Sequence, residues 1–161
     1  ALPIETHLIM SKSAELTVHH ELDCSVDEIR ALADVYHPVR NVGASVASGS
    51  FQTRGMLLAP CSIRTLGEIT TGVTSSLLTR AADVILKERR RLVLMVRETP
   101  LHLGHLRNMV AVTEMGAVVA PPVPAFYAKP DSVDAMVTQS VARALDLFDI
   151  TLSETHRWTE S

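Results

Sequence analysis

Short apolar runs alternate along this chain with longer amphipathic segments, an order typical of a parallel sheet covered by helices. Four apolar runs are predicted as strands, at residues 5–10, 55–60, 91–96 and 117–120. Helices are predicted at residues 12–22, 25–34, 62–71, 74–90 and 101–115, and from a cap at Asp131 or Ser132 through residue 148. The chain contains no internal repeat, so the pattern predicts a single α/β domain.

Capping and turn residues set several of these boundaries. Ser25 and Glu28 stand three residues apart in a capping-box pattern that starts a helix. Gly116 is suited to end the helix before it, because glycine readily adopts the left-handed conformation found there. Residues 38–50 are rich in small side chains and are predicted to form a loop.

Composition narrows the class of protein. The chain has 161 residues, of which 47% are apolar and 20% charged, so it can bury a core and intrinsic disorder is excluded. A net charge of −3 argues against binding to nucleic acid or an anionic membrane through bulk charge. No apolar run reaches membrane-spanning length, and no signal-peptide pattern stands at the start. Two cysteines form no disulfide framework and indicate a reducing, cytoplasmic location.

The loops that follow the predicted strands carry most of the candidate chemistry. Ligands of open α/β sheets lie beyond the carboxyl ends of the strands. Here those loops begin at Ser11, Cys61, Arg97 and Pro121, and several offer hydroxyl or guanidinium groups to a phosphate. The alternative is that Ser11, Ser62 and Thr65 only cap helices.

Three charged residues lie on one face of the helix predicted at 74–90. Asp83 is spaced to pair with both Arg80 and Lys87, which predicts a solvated salt-bridge face. The alternative is that Arg80 and Lys87 together hold a phosphate. The basic run at 87–91 is interpreted as a helix end, where cations are favourable.

Other reactive side chains give no distinct signal. His102 and His105 are spaced to share a metal, but no acidic or cysteine ligand accompanies them, so no metal site is predicted. Cys61 is interpreted as a buried packing residue rather than a nucleophile. The chain contains no Walker loop and no dinucleotide-binding glycine motif.

Three segments together resemble one known family. They are PCSIRTLGEITTG at 60–72, the stretch from LLTRAADVILKERR through VRETP to HLRNM at 77–109, and GAVVAPPVPAFY at 116–127. In order and spacing they resemble the UbiX/Pad flavin prenyltransferases, over almost the whole chain. The resemblance implies a Rossmann-like doubly wound parallel sheet. It also implies transfer of a dimethylallyl group from dimethylallyl monophosphate to reduced flavin mononucleotide (FMN), without a metal.

The resemblance implies a role for each matching residue. It assigns flavin contacts to Ser11, Ser62, Ile63, Arg64, Thr65 and Arg97. Glu98 resembles the acid beside the flavin. It places around the prenyl phosphate Glu21, Arg80, Lys87, Tyr127 and Arg143. Ser48 and Gly49 resemble the loop that lines the prenyl pocket, and Trp158 the tail residue that closes over it. Glu98, Glu21 and Lys87 are the expected catalytic residues.

The family also implies partners. Its members assemble as dodecamers whose sites draw on more than one subunit, and a UbiD-type decarboxylase receives the prenylated FMN. Family members begin with a strand and a GASGA-type loop that this chain lacks, so an N-terminal segment is expected to be missing. Loss of that strand, which is central in a doubly wound sheet, would leave its neighbours unpaired.

Two alternatives remain. Cysteine decarboxylases with the same fold carry PASANT and PAMN segments, and the chain has PCSIRT and PPVPAFY there instead. The other alternative is an FMN-binding decarboxylase or a non-catalytic accessory subunit of an aromatic acid decarboxylase complex. A protein that only binds flavin would have no need of the phosphate-facing set, Glu21, Lys87, Glu98, Tyr127 and Arg143.

Overall fold

The computed structural model describes residues 4–152, and Trp158 lies outside this range. Five strands alternate with six helices in this part of the chain. The strands are β1 His7–Met10, β2 Val35–Pro38, β3 Gly55–Cys61, β4 Arg91–Val96 and β5 Val118–Val119. The helices are α1 Lys12–Glu21, α2 Val26–Ala31, α3 Ile63–Thr70, α4 Leu77–Lys87, α5 Leu103–Glu114 and α6 Val133–Asp146. Short 3₁₀ turns lie at Ser45–Ala47 and Phe126–Ala128.

All strand pairs are parallel, as expected for an α/β fold, but they form two sheets. In one sheet β1 pairs with β2, and in the other β4 lies between β3 and β5. Within the described residues β1 and β3 each pair on one side only, which differs from the single sheet that the resemblance implies. The expected preceding strand remains a prediction.

The main core surrounds β4. All five residues that follow Arg91 in this strand are buried, which is typical of a central parallel strand covered on both faces. Helices α3, α4 and α5 cover these strands with buried side chains such as Leu66, Ala82 and Val112. The resulting rigid sheet fixes where its loops begin.

A smaller core lies between β1, α1 and α2. Met10, Val18 and Val26 are its buried members. Polar contacts add to it, because Arg30 lies over the Tyr36 ring and forms ion pairs with Glu15 and Asp27. This region is thus held by charge and hydrogen bonds as well as by apolar packing.

The predicted elements are confirmed with ends shifted by a few residues, and one strand was missed. Ser25 and Glu28 form the capping box, and Ser132 rather than Asp131 caps α6. The missed strand is β2: the sequence analysis assigned no element to residues 35–37 and placed Pro38 in the loop predicted at 38–50. It has only four residues and ends in Pro38, which an edge strand tolerates. No helix in residues 4–152 is long and apolar enough to cross a membrane.

Candidate active site

Two serines cap helices at the carboxyl ends of strands. Ser11 follows β1 and its Oγ accepts from the Ala14 N–H at 3.1 Å. Ser62 follows β3, and its Oγ accepts from the Thr65 N–H at 3.2 Å and lies 3.0 Å from Thr65 Oγ1. The capping role of Ser11 and Ser62 is therefore confirmed, whereas that of Thr65 is wrong, because Thr65 lies in the first turn of α3 and is itself capped by Ser62. Ser62 is also exposed, so its hydroxyl can face a ligand as well.

Arg97 and Glu98 follow β4 beside the Ser62 loop. The Arg97 N–H donates to the Cys61 carbonyl at 3.3 Å, which joins the ends of β3 and β4. Both side chains are exposed, and no ion pair between described residues involves Arg97. Glu98 Oε1 accepts from the Thr99 N–H at 3.0 Å, so the carboxylate has a fixed direction. The Arg97 guanidinium, which has no ion-pair partner among the described residues, thus lies on the residue next to Glu98, whose carboxylate is oriented by a backbone hydrogen bond.

Cys61 lies beneath this loop and is fully buried. Burial raises the pKa of its thiol to about 12, because the thiolate would be poorly solvated there. Its packing role is confirmed, since nucleophilic cysteines are exposed and have lowered pKa values.

Arg64 has a partner within its own helix. Its Nε donates to Glu68 Oε1 at 2.9 Å, and the Arg64 side chain is 81% exposed. Because the Arg64 side chain is largely exposed, the pair contributes little to stability, and the guanidinium can exchange its partner for a ligand. Ile63 is partly buried and packs against the main core. We call Ser11, Ser62–Thr65, Arg97 and Glu98 the carboxyl-end group.

A second set of predicted site residues surrounds the end of α4. Lys87 Nζ lies 2.6 Å from Glu88 Oε1. This pair rests against Gly49, where a Cβ atom would overlap the Glu88 carboxylate and lie 2.9 Å from Lys87 Nζ. Ser48 Oγ lies 2.9 Å from Ser50 Oγ in the same loop. The structure therefore brings Ser48 and Gly49 beside Lys87, as the resemblance implies.

The predicted salt-bridge face of α4 is wrong. Asp83 forms no ion pair with Arg80 or Lys87, since Lys87 pairs with Glu88 instead. Lys87 therefore contacts Glu88, the residue that follows α4, and not Asp83, which lies one helical turn before it. Arg80 is exposed and is in none of the ion pairs of residues 4–152. We call Ser48, Gly49, Arg80 and Lys87 the α4 group.

The two groups lie apart within one chain. Lys87 ends α4 shortly before β4 begins, and Arg97 follows the other end of that strand. Six strand residues span roughly 20 Å, so the two side chains start near opposite edges of the sheet. One chain thus does not place Lys87 next to Arg97 or Glu98.

Three further predicted residues lie elsewhere. Arg143 lines a cavity of about 240 Å³ together with residues 118–123, and its Nη1 lies 3.8 Å from Asp146 Oδ2. Tyr127 lies in the second 3₁₀ turn and is 54% exposed. Glu21 is exposed at the far end of α1 from Ser11. Within residues 4–152, no ion pair joins Arg143 to Lys87 or Arg80.

His102 and His105, for which no metal site was predicted, contact each other at the start of α5. The His102 and His105 rings lie 3.5 Å apart, and His102 Nδ1 accepts from the Gly104 N–H as the cap of α5. Between residues 4 and 152, no group of three histidine, cysteine or carboxylate side chains could hold a metal ion.

Sequence reasoning missed a larger, arginine-lined cavity of about 640 Å³. Its lining includes Arg54, Arg89, Arg90 and Arg91 at the amino ends of β3 and β4. The C-termini of α4, α5 and α6 end beside these residues, and cations there offset the helix dipoles. Arg91 also donates to the Leu147 carbonyl at the end of α6. The helix ends account for the positive charge at Arg89 and Arg91, and Arg90 donates to the Phe51 and Gly49 carbonyls, so this cavity is not the candidate site.

The sequence matches the Flavoprotein family over residues 3–145. It is 58% identical over 158 residues to the flavin prenyltransferase UbiX of Neisseria meningitidis serogroup B, a match that spans 98% of this chain and 84% of that protein. The chain therefore belongs to the Flavoprotein family and, within it, to the UbiX flavin prenyltransferases.

Solved structures agree with this assignment. The fold matches the crystal structure of AnUbiX (PadA1) in complex with FMN and dimethylallyl pyrophosphate with a TM-score of 0.98 and 52% identity, over 99% of this chain and 85% of that one. It matches the dodecameric FMN-dependent Ubix-like decarboxylase of Escherichia coli O157:H7 with a TM-score of 0.96 and 46% identity, over 99% of this chain and 86% of that one. The resemblance inferred from sequence motifs is confirmed, as is the prenyltransferase class.

Proposed function

We propose that this protein joins the dimethylallyl group of dimethylallyl monophosphate to reduced FMN, at a site shared between copies of the chain. The observation that carries the proposal is the division of the predicted residues into two groups at opposite ends of the strands. The carboxyl-end group has the side chains suited to a flavin, and the α4 group has those suited to a phosphate.

The carboxyl-end group fits FMN by the chemistry of its donors. Ser62 and Thr65 present hydroxyls at a helix start, and the exposed Arg97 presents a guanidinium without a carboxylate partner. Such donors suit the phosphate and the oxygen-rich ring of a flavin. Ser11 and Arg64 would add contacts at neighbouring loops. When bound, reduced FMN supplies the nitrogen that bonds to the allylic carbon as the carbon–oxygen bond to phosphate breaks.

The remaining residues stabilise the leaving phosphate and move a proton. Negative charge develops on the phosphate as it departs with the bonding electrons, and Arg80, Lys87, Tyr127 and Arg143 supply cations and a donor to it. Glu98 would accept the proton that the attacking nitrogen loses. Glu21 and Trp158 belong to the same proposal by resemblance, with Trp158 outside the described residues.

A shared site would explain why one chain separates the two groups. Helix α5 exposes Leu103, Leu106 and Val110 on one face, and α6 exposes Val133 and Val137, 69% and 55% exposed. Apolar faces of this kind are typical of surfaces that are covered in an assembly. A relative that assembles as a dodecamer supports assembly of this chain as well. In the proposed site, Lys87 of one copy faces Arg97 and Glu98 of another.

The central experiment is an anaerobic assay of prenylated FMN formation from dimethylallyl monophosphate and reduced FMN. Wild-type protein is expected to form the product without added magnesium. Lys87→Ala is expected to lower turnover about ten- to a hundred-fold, because a charge-assisted contact to phosphate is lost. The matched control is Arg89→Ala, which removes a nearby exposed cation and should leave turnover unchanged.

Other outcomes would overturn the proposal. Strict dependence on magnesium would contradict a phosphate site built from side chains. Decarboxylation of an aromatic acid by this protein with FMN alone would favour the decarboxylase alternative. Flavin binding without product formation would favour the non-catalytic subunit.

The proposal extends to the use of the product. Prenylated FMN is released to a UbiD-type decarboxylase, and the protein works in the cytoplasm. The free thiols of Cys24 and Cys61 support a reducing compartment.

A further inference from the structure

Arg90 binds the loop that carries Gly49 through two hydrogen bonds. Its Nη1 donates to the Phe51 carbonyl at 2.7 Å and its Nη2 donates to the Gly49 carbonyl at 2.5 Å. The two bonds span 39 and 41 residues of sequence and use both arms of the planar guanidinium. A fork of this shape fixes two acceptors at once, so it restrains their relative position as well as their distance.

The loop is held from other directions as well. At its start, the Leu77 N–H of α4 donates to the Val39 carbonyl at 2.9 Å. At its end, the Phe51 ring lies edge-on to His7, with centroids 5.2 Å apart. Residues 40–50 are thus tied to the start of α4 at Leu77 and, through Arg90, to the segment that follows its end.

Glu88 lies between the loop that Arg90 binds and Lys87 of the α4 group. Its carboxylate contacts Lys87 Nζ, and the pKa of Glu88 is lowered chiefly by Lys87, with a smaller effect of Arg90. The Lys87–Glu88 pair lies so close to Gly49 that a Cβ atom there would collide with it. A shift of the loop by a fraction of an ångström would therefore move it against Lys87.

We propose that Arg90 is a positioning residue that sets the Ser48–Gly49 loop against Lys87 and so shapes the binding place of the prenyl phosphate. This role rests on the proposed function, because it assigns Lys87 and the loop to substrate. Arg90 itself acts through the Gly49 and Phe51 carbonyls and does not touch substrate.

The test compares Arg90→Gln with two matched variants. Arg91→Gln also removes a bond from an arginine to a carbonyl, but that carbonyl belongs to Leu147 on α6. Arg89→Gln removes an adjacent positive charge that has no ion-pair partner in residues 4–152. Both variants control for general losses of stability and charge.

Hydrogen exchange tests, independently of activity, whether the two Arg90 hydrogen bonds restrain the loop. Arg90→Gln should speed exchange of the backbone amides in residues 45–53, whereas Arg91→Gln and Arg89→Gln should not. Equal exchange in all three variants would show that the two hydrogen bonds do not hold the loop, and would overturn the proposal.

Kinetics test the role in binding. Arg90→Gln should raise the KM for dimethylallyl monophosphate about tenfold, with the Kd for FMN unchanged, because the loop lies in the α4 group. Arg90→Lys should recover part of the loss, since one ammonium can reach one carbonyl. Faster exchange with an unchanged KM would overturn the positioning role. Absence of product from wild-type protein would overturn the proposed function and this role with it, while exchange would still decide whether Arg90 holds the loop.

Discussion

The carboxyl-end group and the α4 group are built in different ways. In the first, hydroxyls bond to backbone N–H groups three residues away, and the Arg97 and Glu98 side chains follow a buried strand. In the second, Lys87 lies against a loop that is distant in sequence and is held by Arg90. Local capping thus places one group, and tertiary contacts place the other.

This difference has a functional meaning. A group carried on the strand ends of a rigid sheet keeps its geometry under most substitutions, which suits the binding of a large planar cofactor. A group assembled between a helix end and a loop depends on each contact that joins them. We therefore expect substitutions in the two groups to alter different binding steps.

The largest expected effect separates the two groups by FMN affinity. Arg97→Ala should weaken FMN binding about ten- to a hundred-fold, because a charge-assisted contact is lost from the carboxyl-end group. Lys87→Ala should keep the wild-type Kd within about twofold, since Lys87 is assigned to the prenyl phosphate and not to the flavin. Titration of protein with FMN, followed by flavin fluorescence, measures both values. Equal losses in the two variants would show that the groups do not bind separate ligands.

A smaller effect is expected from Gly49→Ala. The added Cβ would displace the Glu88 carboxylate and crowd Lys87, so kcat/KM for dimethylallyl monophosphate should fall about five- to tenfold. Gly43→Ala is the matched control, because a Cβ there meets only the Asn41 side chain at ordinary contact distance. Steady-state kinetics at saturating FMN compare the two, and similar values for both would contradict the close approach at residue 49.

Protonation of His37 should lower the stability of the fold. His37 lies in β2, directly before the loop of residues 40–50 that carries Gly49. Burial, and to a lesser extent His7, lowers the pKa of His37 from its ordinary value of 6.5. The folded chain then binds a proton at His37 less tightly than the unfolded chain does. Above pH 6.5 His37 is neutral in both states and does not affect the free energy of unfolding. As the pH falls below 6.5, the unfolded chain takes up the proton first and stability is lost.

Denaturant unfolding at several pH values between 7 and 5 checks this sign. His37→Gln should show a smaller loss of unfolding free energy over that range than wild-type protein. His20→Gln, at an exposed position on α1, is the control and should follow wild type. A steeper loss in His37→Gln would mean that the charged form is stabilised in the fold.

The smallest effect is expected from thiol modification. Native protein treated with iodoacetamide should be alkylated at the partly buried Cys24 and not at Cys61, whose pKa is about 12. Activity should be unchanged, because Cys24 is in neither group. Mass spectrometry of peptides locates the label, and rapid alkylation of Cys61 would contradict its packing role.

Most of the fold, and the place of the carboxyl-end group at the strand ends, could be predicted from sequence. Ser62 and Thr65 stand three residues apart directly after an apolar run, so their position at a strand end followed from local pattern alone. The family motifs carried the assignment of Arg97 and Glu98. These signals are local because hydrogen bonds of caps and strand ends involve near neighbours.

The missed features depend on contacts between distant residues. Nothing in the run 87–91 indicates that Arg90 would bind the carbonyls of residues 49 and 51, and the spacing of Asp83 predicted a pairing that the structure lacks. Strand β2 was missed because it has only four residues and is defined by its parallel pairing with β1, 28 residues earlier in the chain.

Mixed oligomers test the shared site most directly. Lys87→Ala and Glu98→Gln subunits, carrying different affinity tags, are co-expressed and the mixed assemblies are isolated through both tags. If Lys87 and Glu98 of different copies meet at one site, random mixing leaves about a quarter of the sites intact, and prenylated FMN formation should return to about that fraction of wild type. Mixed assemblies no more active than either variant alone would contradict a site built from two copies of this chain.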